Sequence, residues 1–188
     1  MWRDRIIAVA LVAVVLVVTG CGPGPSAADR PVSAGSTAPG HVDARPSAAE
    51  VPDPLPAYLT FTAPTLDDAT FDGRSLAGRP AVLWFWAPWC AMCAGQASSV
   101  ASVADEYGGR LSVVGVAGLG EEAAMRDFVE EFDLYGFPHL RDTDGAVWRE
   151  FEITEQSWYV FLDADGTMVH RGWLDSLQFD QQVAELAR

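Results

Sequence analysis

Residues 81–93, Ala-Val-Leu-Trp-Phe-Trp-Ala-Pro-Trp-Cys-Ala-Met-Cys, restrict this chain more than any other segment. The first six form an unbroken apolar run, preceded by the turn-forming Gly78-Arg79-Pro80. A short apolar run closed off in this way is expected of a strand buried on both faces. Behind it, Ala94, Ala97, Ala101 and Ala104 recur at steps of three and four beside Val100, Val103 and Tyr107, before Gly108-Gly109. That pattern predicts a helix with a wide apolar face and a glycine stop. Strand passes to helix through Ala87-Pro88-Trp89, so Cys90 falls in the helix's first turn. Unpaired N–H groups and the positive end of the helix dipole favour a thiolate there, and the thiolate is the attacking form. Cys93 follows nearly one turn later, on the same face and more enclosed. Cys90 is therefore the expected nucleophile, and Cys93 the resolving thiol that breaks a mixed disulfide.

Other uses of the pair fit less well. A structural bridge across two intervening residues closes too small a loop to stabilise much. A zinc site needs about four ligands, and neither a second C-x-x-C nor an H-x-x-x-H is present. Trp89 and Met92 are expected to form an apolar collar around Cys90. An exposed tryptophan beside a reactive thiol reads as a docking patch for a partner protein. Trp84, Trp86, Trp158 and Trp173 are expected in the core. His139 and His170 stand alone and are read as surface or strand residues, and the acids of residues 121–133 as a solvated helix face.

The remaining elements complete an α/β layout. Residues 61–76 alternate short apolar stretches with Asp67-Asp68 and Asp72-Gly73, both read as hairpin turns. A second central strand is expected over 111–117. A helix is expected over 121–132, with acids in its first turn and Met125, Phe128, Val129 and Phe132 along one side. Strands at 158–163 and 167–173 flank Asp163-Ala164-Asp165-Gly166, a hairpin signal. Asp175 or Ser176 caps a last helix carrying Phe179, Val183 and Leu186. Strand–helix alternation between two hairpins implies a mixed sheet between helices.

The amino end reads as an address. After a short basic start, residues 6–18 form a run of 13 apolar residues. A membrane span needs about 20, so the run fits a secretory signal. Val18-Thr19-Gly20-Cys21 then resembles a bacterial lipoprotein box, whose cysteine is acylated and becomes the first residue of the mature chain. The expected organisation is a signal peptide over 1–20, a flexible tether over 21–56 and a folded domain over 57–188. The tether is rich in Pro, Ala, Ser and Gly, and its coil reaches about 30–35 Å. The bilayer is then a partner through Cys21, and the domain sits on the outer, oxidising face of the cell membrane, where disulfide chemistry is permitted. Nucleic acid is excluded as a partner, because 12 basic residues, all Arg, face 26 acids for a net charge of −14, and no basic face can form.

The stretch Trp86-Ala87-Pro88-Trp89-Cys90-Ala91-Met92-Cys93 resembles the thioredoxin superfamily signature W-x-x-W-C-x-x-C, at the start of the first long helix. With residues 113–116 and 161–166, it looks like the TlpA/DsbE branch of membrane-tethered extracytoplasmic thiol–disulfide oxidoreductases. The resemblance spans residues 61–188. It implies a thioredoxin-like fold with an N-terminal hairpin extension, a cycling Cys90–Cys93 disulfide, protein thiols as clients and a membrane or secreted redox partner. No cofactor is implied, since electrons pass between dithiols. Gln156 and Ser157 match the client-docking edge, where the family carries a cis-proline and this chain has Ser157. A second departure is Trp84, which stands where thioredoxins proper bury an aspartate. A third is Ala91-Met92, which adds neither proline nor charge between the cysteines. Two other classes are weighed against this reading. One is an extracytoplasmic Cu(I)-binding module on the same dithiol, soft sulfur ligands suiting that ion. The other is a redoxin-type thiol peroxidase, whose T-x-x-C pattern is lacking here, Ala87 standing three residues before Cys90.

Overall fold

The computed structural model describes residues 54–188. The expected signal segment, Cys21 and the expected tether up to residue 53 lie outside the described residues.

Strands β1 (Thr62–Pro64) and β2 (Thr70–Asp72) form an antiparallel hairpin, with Ala63 opposite Phe71. Asp68, at φ 64°, turns the chain between them. Asp72-Gly73 is not a second hairpin turn. The Asp72 carboxylate accepts the Arg74 amide at 3.0 Å and opens a 3₁₀ turn over Gly73–Leu76. A short acidic side chain that bonds the amide two residues on offers the backbone this alternative to a strand reversal.

Strand β3 (Ala81–Trp86) is buried at every residue. Helix α1 (Ala91–Tyr107) follows, then β4 (Ser112–Ala117) and α2 (Glu122–Glu131). Next come β5 (His139–Arg141), α3 (Ala146–Glu150), β6 (Trp158–Leu162), β7 (Met168–Gly172) and α4 (Ser176–Leu186). The five-stranded sheet runs β5-β4-β3-β6-β7. β4 is parallel to β3 and β5 to β4, whereas β6 is antiparallel to β3 and β7 to β6. This is a thioredoxin-like arrangement, a mixed sheet between helices with a hairpin added at the amino end.

Alternation along β3 divides the core. Val82, Trp84 and Trp86 enter one cluster, with Val100, Phe128 and Phe179 from α1, α2 and α4. Ala81, Leu83 and Phe85 enter the other, with Val147, Trp148 and Phe151 from α3 and its end, and with Leu59 and Leu76. Each large side chain removed from water contributes about 1.5–3 kcal/mol, so a strand whose six residues are all buried anchors both layers. Trp86 stacks on Phe128 at 4.5 Å between ring centroids.

The sequence pattern did not announce β5 and α3. β5 pairs over only three residues, Gly115↔His139 to Ala117↔Arg141. α3 is built by a remote cap rather than by its own periodicity. Asp142 is buried, and its carboxylate accepts the amides of Val147 and Trp148 at 3.1 and 2.8 Å. At the last helix, Asp175 is the cap, and it forms a reciprocal capping box with Gln178.

Two expectations are corrected. Trp173 is 49% exposed. The β6–β7 pairing ends at Tyr159↔Gly172, and Gly172 has φ 146°, so Trp173 leaves the sheet before it can be covered. Trp158, at the start of β6, is only half-buried against the second cluster. The acids of α2 lie on the surface as expected, and one of them joins an ion-pair network. Glu122 pairs with Arg126 and Arg141, and Arg126 also pairs with Asp68, tying the β1–β2 turn to α2 and β5. Hydrogen bonds from Arg126 and then Arg141 hold the Glu122 carboxyl below its ordinary pKa.

The described chain enters at one pole of the sheet. The Tyr58 hydroxyl donates to the Gly166 carbonyl at 2.8 Å, in the β6–β7 turn. That turn lies beside the start of β3, since Leu162 pairs with Ala81 and the Gly78 amide donates to the Ala164 carbonyl at 2.7 Å. Cys90 follows the other end of β3, about 20 Å away along six strand residues.

His139 is buried in β5, with Nε2 2.9 Å from the Leu134 carbonyl oxygen. Burial lowers its pKa from 6.5 to about 4. The unfolded chain therefore binds this proton more readily than the folded one. The stability His139 contributes is complete above about pH 6.5 and is lost as pH falls toward 4. Between pH 7 and 5 the loss is about 2 kcal/mol. His139→Gln, which keeps a donor and does not titrate, should flatten the urea-denaturation stability profile across that interval by a similar amount.

Candidate active site

Cys90 is the N-cap of α1, with φ −88° and ψ 107°. Its own amide donates to the Ala87 carbonyl at 3.1 Å, which closes the turn leaving β3. Its sulfur accepts the Cys93 amide at 3.0 Å, the place an N-cap hydroxyl or carboxylate takes in most helices. One of the helix's orphan donors thus points at sulfur, as thiolate chemistry requires.

Cys90 and Cys93 are joined as a disulfide, with Cα atoms 5.2 Å apart. Cys90 is 5% exposed and Cys93 not at all. The outer sulfur is the one an incoming group can reach, and the inner one is held one turn below it. Trp89 is 61% and Met92 55% exposed. Trp89 is also fixed, since its indole N–H donates to the Leu119 carbonyl at 2.6 Å. Leu119, at φ 54°, sits between two glycines where a side chain would collide. A Cβ on Gly118 would lie 2.7 Å from the Trp148 ring, and one on Gly120 2.5 Å from Pro88.

Ser157 closes the site from the sheet side. It is 4% exposed, and its hydroxyl lies 3.1 Å from Cys90 Sγ and 3.2 Å from Cys93 Sγ. Its φ of 70° is in the left-handed region, and its amide donates to the Phe85 carbonyl at 2.8 Å. Gln156 is half-buried beside it. Sequence reasoning missed Gln96, one turn along α1 from Cys93. The Trp84 indole donates to Gln96 Oε1 at 2.9 Å, and Gln96 Nε2 donates to the Ser157 carbonyl at 3.0 Å. Trp84 thus occupies the expected aspartate position with a neutral donor instead of a carboxylate. A glutamine in a small-residue helix was the available signal, but its partners come from β3 and the β6 approach.

Met92, Gln96 and Tyr159 also line a groove of about 430 Å³ that continues to Trp173, Leu174 and Phe179. Among the described residues, no group of three or more His, Cys, Asp or Glu is placed to hold a metal ion.

A thioredoxin-like domain with a disulfide at the mouth of its first helix is the class that fold and site define. The chain belongs to the AhpC/TSA family, whose model matches residues 53–171. It is similar to the soluble secreted antigen MPT53 of Mycobacterium tuberculosis, 45% identical over 109 residues that cover 58% of this chain and 62% of the relative. The match thus spans somewhat under two thirds of that relative's length. The structure of M. tuberculosis dsbF, in mixed oxidised and reduced forms, superposes with a TM-score of 0.67 at 44% identity, covering 70% of this chain and 98% of that one. A secreted M. tuberculosis disulfide oxidoreductase homologous to E. coli DsbE superposes at 0.63 with 39% identity, covering 69% and 98%.

The difference in burial has a direct readout. After reduction, iodoacetamide should label Cys90 at least about ten-fold faster than Cys93, since reaction requires an accessible thiolate. Peptide mass mapping of briefly alkylated protein checks this.

Proposed function

We propose that this protein is an extracytoplasmic thiol–disulfide oxidoreductase that exchanges disulfides with protein clients. Cys90 forms the mixed disulfide with a client, and Cys93 resolves it. The observation that carries the reading is the placement of one reachable sulfur on the helix N-terminus with its disulfide partner fully buried beneath it. The names of the mycobacterial relatives, a secreted antigen and a secreted disulfide oxidoreductase, support the same compartment and chemistry. Trp89 and Met92 are the client-docking collar, with Gln156 and Ser157 as the opposite edge.

We also propose that the domain, residues 57–188, is tethered to the outer face of the cell membrane through acylated Cys21. The apolar run of residues 6–18 leading into Val18-Thr19-Gly20-Cys21 supports this reading. The Cu(I) reading rests on the two sulfurs alone, since Met92 is largely exposed.

Cys90→Ser should reduce insulin-disulfide reduction and oxidative refolding of a reduced client by at least about a hundred-fold, because the attacking thiolate is gone. Cys93→Ser should accumulate mixed disulfides visible on a non-reducing gel; activity retained without Cys90, or no adducts without Cys93, would overturn the assignment. Cys21→Ala should move the protein from the membrane fraction to the medium. An unchanged membrane fraction would exclude the acyl anchor.

A further inference from the structure

We propose that Ser157 is a catalytic residue of this exchange. Its hydroxyl donates a hydrogen bond to whichever of the two sulfurs carries the negative charge, and Gln96 is the residue that positions it. The proposal rests on the oxidoreductase reading above and assigns that site a charge-stabilising group.

The hydroxyl lies almost equally far from both sulfurs, 3.1 and 3.2 Å. Those sulfurs are its only hydrogen-bond partners among the described residues. A buried hydroxyl aimed at nothing else has no other polar group to satisfy it. The backbone is held in a conformation that non-glycine residues rarely adopt, φ 70°. Such conformations persist where the surroundings over-determine them, and they gather at working sites. Here the surroundings are explicit. The Ser157 amide is held by the Phe85 carbonyl and its own carbonyl by Gln96 Nε2. Gln96 cannot turn its amide over, because the Trp84 indole is a donor only and requires Oε1. A chain of neutral dipoles therefore runs from β3 through α1 to the sulfurs and fixes the hydroxyl before the reaction starts.

Oxidation of a client dithiol runs opposite to the reductive direction in which Cys93 resolves the mixed disulfide, and there the client's second thiol takes that part. A client thiolate attacks Cys90 Sγ, a client–Cys90 bond forms, the Cys90–Cys93 bond breaks, and Cys93 Sγ leaves with the electron pair. Ser157 donates to that sulfur. The second client thiolate then attacks the client sulfur of the mixed disulfide, and Cys90 Sγ leaves as a thiolate beside the same hydroxyl. Two electrons pass to the enzyme. The two protons shed by the client thiols to water are taken up from water by the cysteines, and Ser157 keeps its own proton throughout.

Ser157→Gly is the informative variant, since glycine adopts φ 70° freely and the substitution removes the hydroxymethyl group that carries the donor. The reduced full-length protein and the variant are alkylated with iodoacetamide from pH 4 to 10, and both are assayed for insulin reduction. The variant should raise the pH midpoint of Cys90 alkylation by about one unit, equivalent to about ten-fold slower alkylation at pH values below it. Gln96→Leu should give a smaller rise, and no further rise when added to Ser157→Gly. An unchanged midpoint in Ser157→Gly overturns the proposal. If that variant does not fold, the same comparison on Gln96→Leu decides, a rise supporting the proposal and an unchanged midpoint overturning it. Absence of exchange by the unsubstituted protein would instead defeat the oxidoreductase reading, and the alkylation midpoints would still decide the role of Ser157.

Discussion

β3 is covered on both faces, and that double burial sets where the sulfurs lie. With Trp84 and Trp86 packed on one side and Leu83 and Phe85 on the other, the strand can shift neither along nor across the sheet without exposing large apolar surface. Its carboxyl end is therefore a fixed point. The Ala87–Cys90 turn then starts α1 immediately, so the first orphan amides of the helix open at the end of a rigid strand. The Cys93 amide bonded to the Cys90 sulfur is the product of that junction. No loop mobility separates the reactive atom from the core.

The same strand holds the groups around the sulfurs. Phe85 gives its carbonyl to the Ser157 amide, while Trp84, facing the other way, gives its indole N–H to Gln96. Two neighbouring residues of β3, pointing to opposite layers, thereby brace one serine through its amide and its carbonyl. The arginine–carboxylate network of Asp68, Glu122, Arg126 and Arg141 lies on the surface and ties the added hairpin to the sheet edge. Exposed pairs of this kind contribute little each.

What could be read from the residues followed the length and periodicity of each segment. β3, α1, β4, α2, the β6–β7 hairpin and α4 each carry enough consecutive pattern to declare themselves. β5 has three residues and pairs only because β4 presents its open edge. α3 has five and depends on a carboxylate outside it. Trp173 was misplaced because hydrophobicity counts composition, not where a strand's pairing stops. At the site, Cys90, Cys93 and Trp89 were legible because spacing and a helix start define them locally. Ser157 was legible as a departure from a family pattern, but its contact with both sulfurs was not. Gln96 was invisible, since its partners lie 12 and 61 residues away in the chain.

Replacing a buried acid by Trp84 changes the electrostatics of the site in kind. The Cys93 amide and the Ser157 hydroxyl are the polar groups that touch the sulfurs, and Gln96 and Trp84 stand behind them. None of these carries a formal charge or changes protonation between about pH 5 and 9. A buried carboxylate near a thiol would couple to its titration and divide the proton between two sites. Fixed dipoles do not. The groups seen against the sulfurs are of this second kind, an amide N–H and a hydroxyl held by neutral partners.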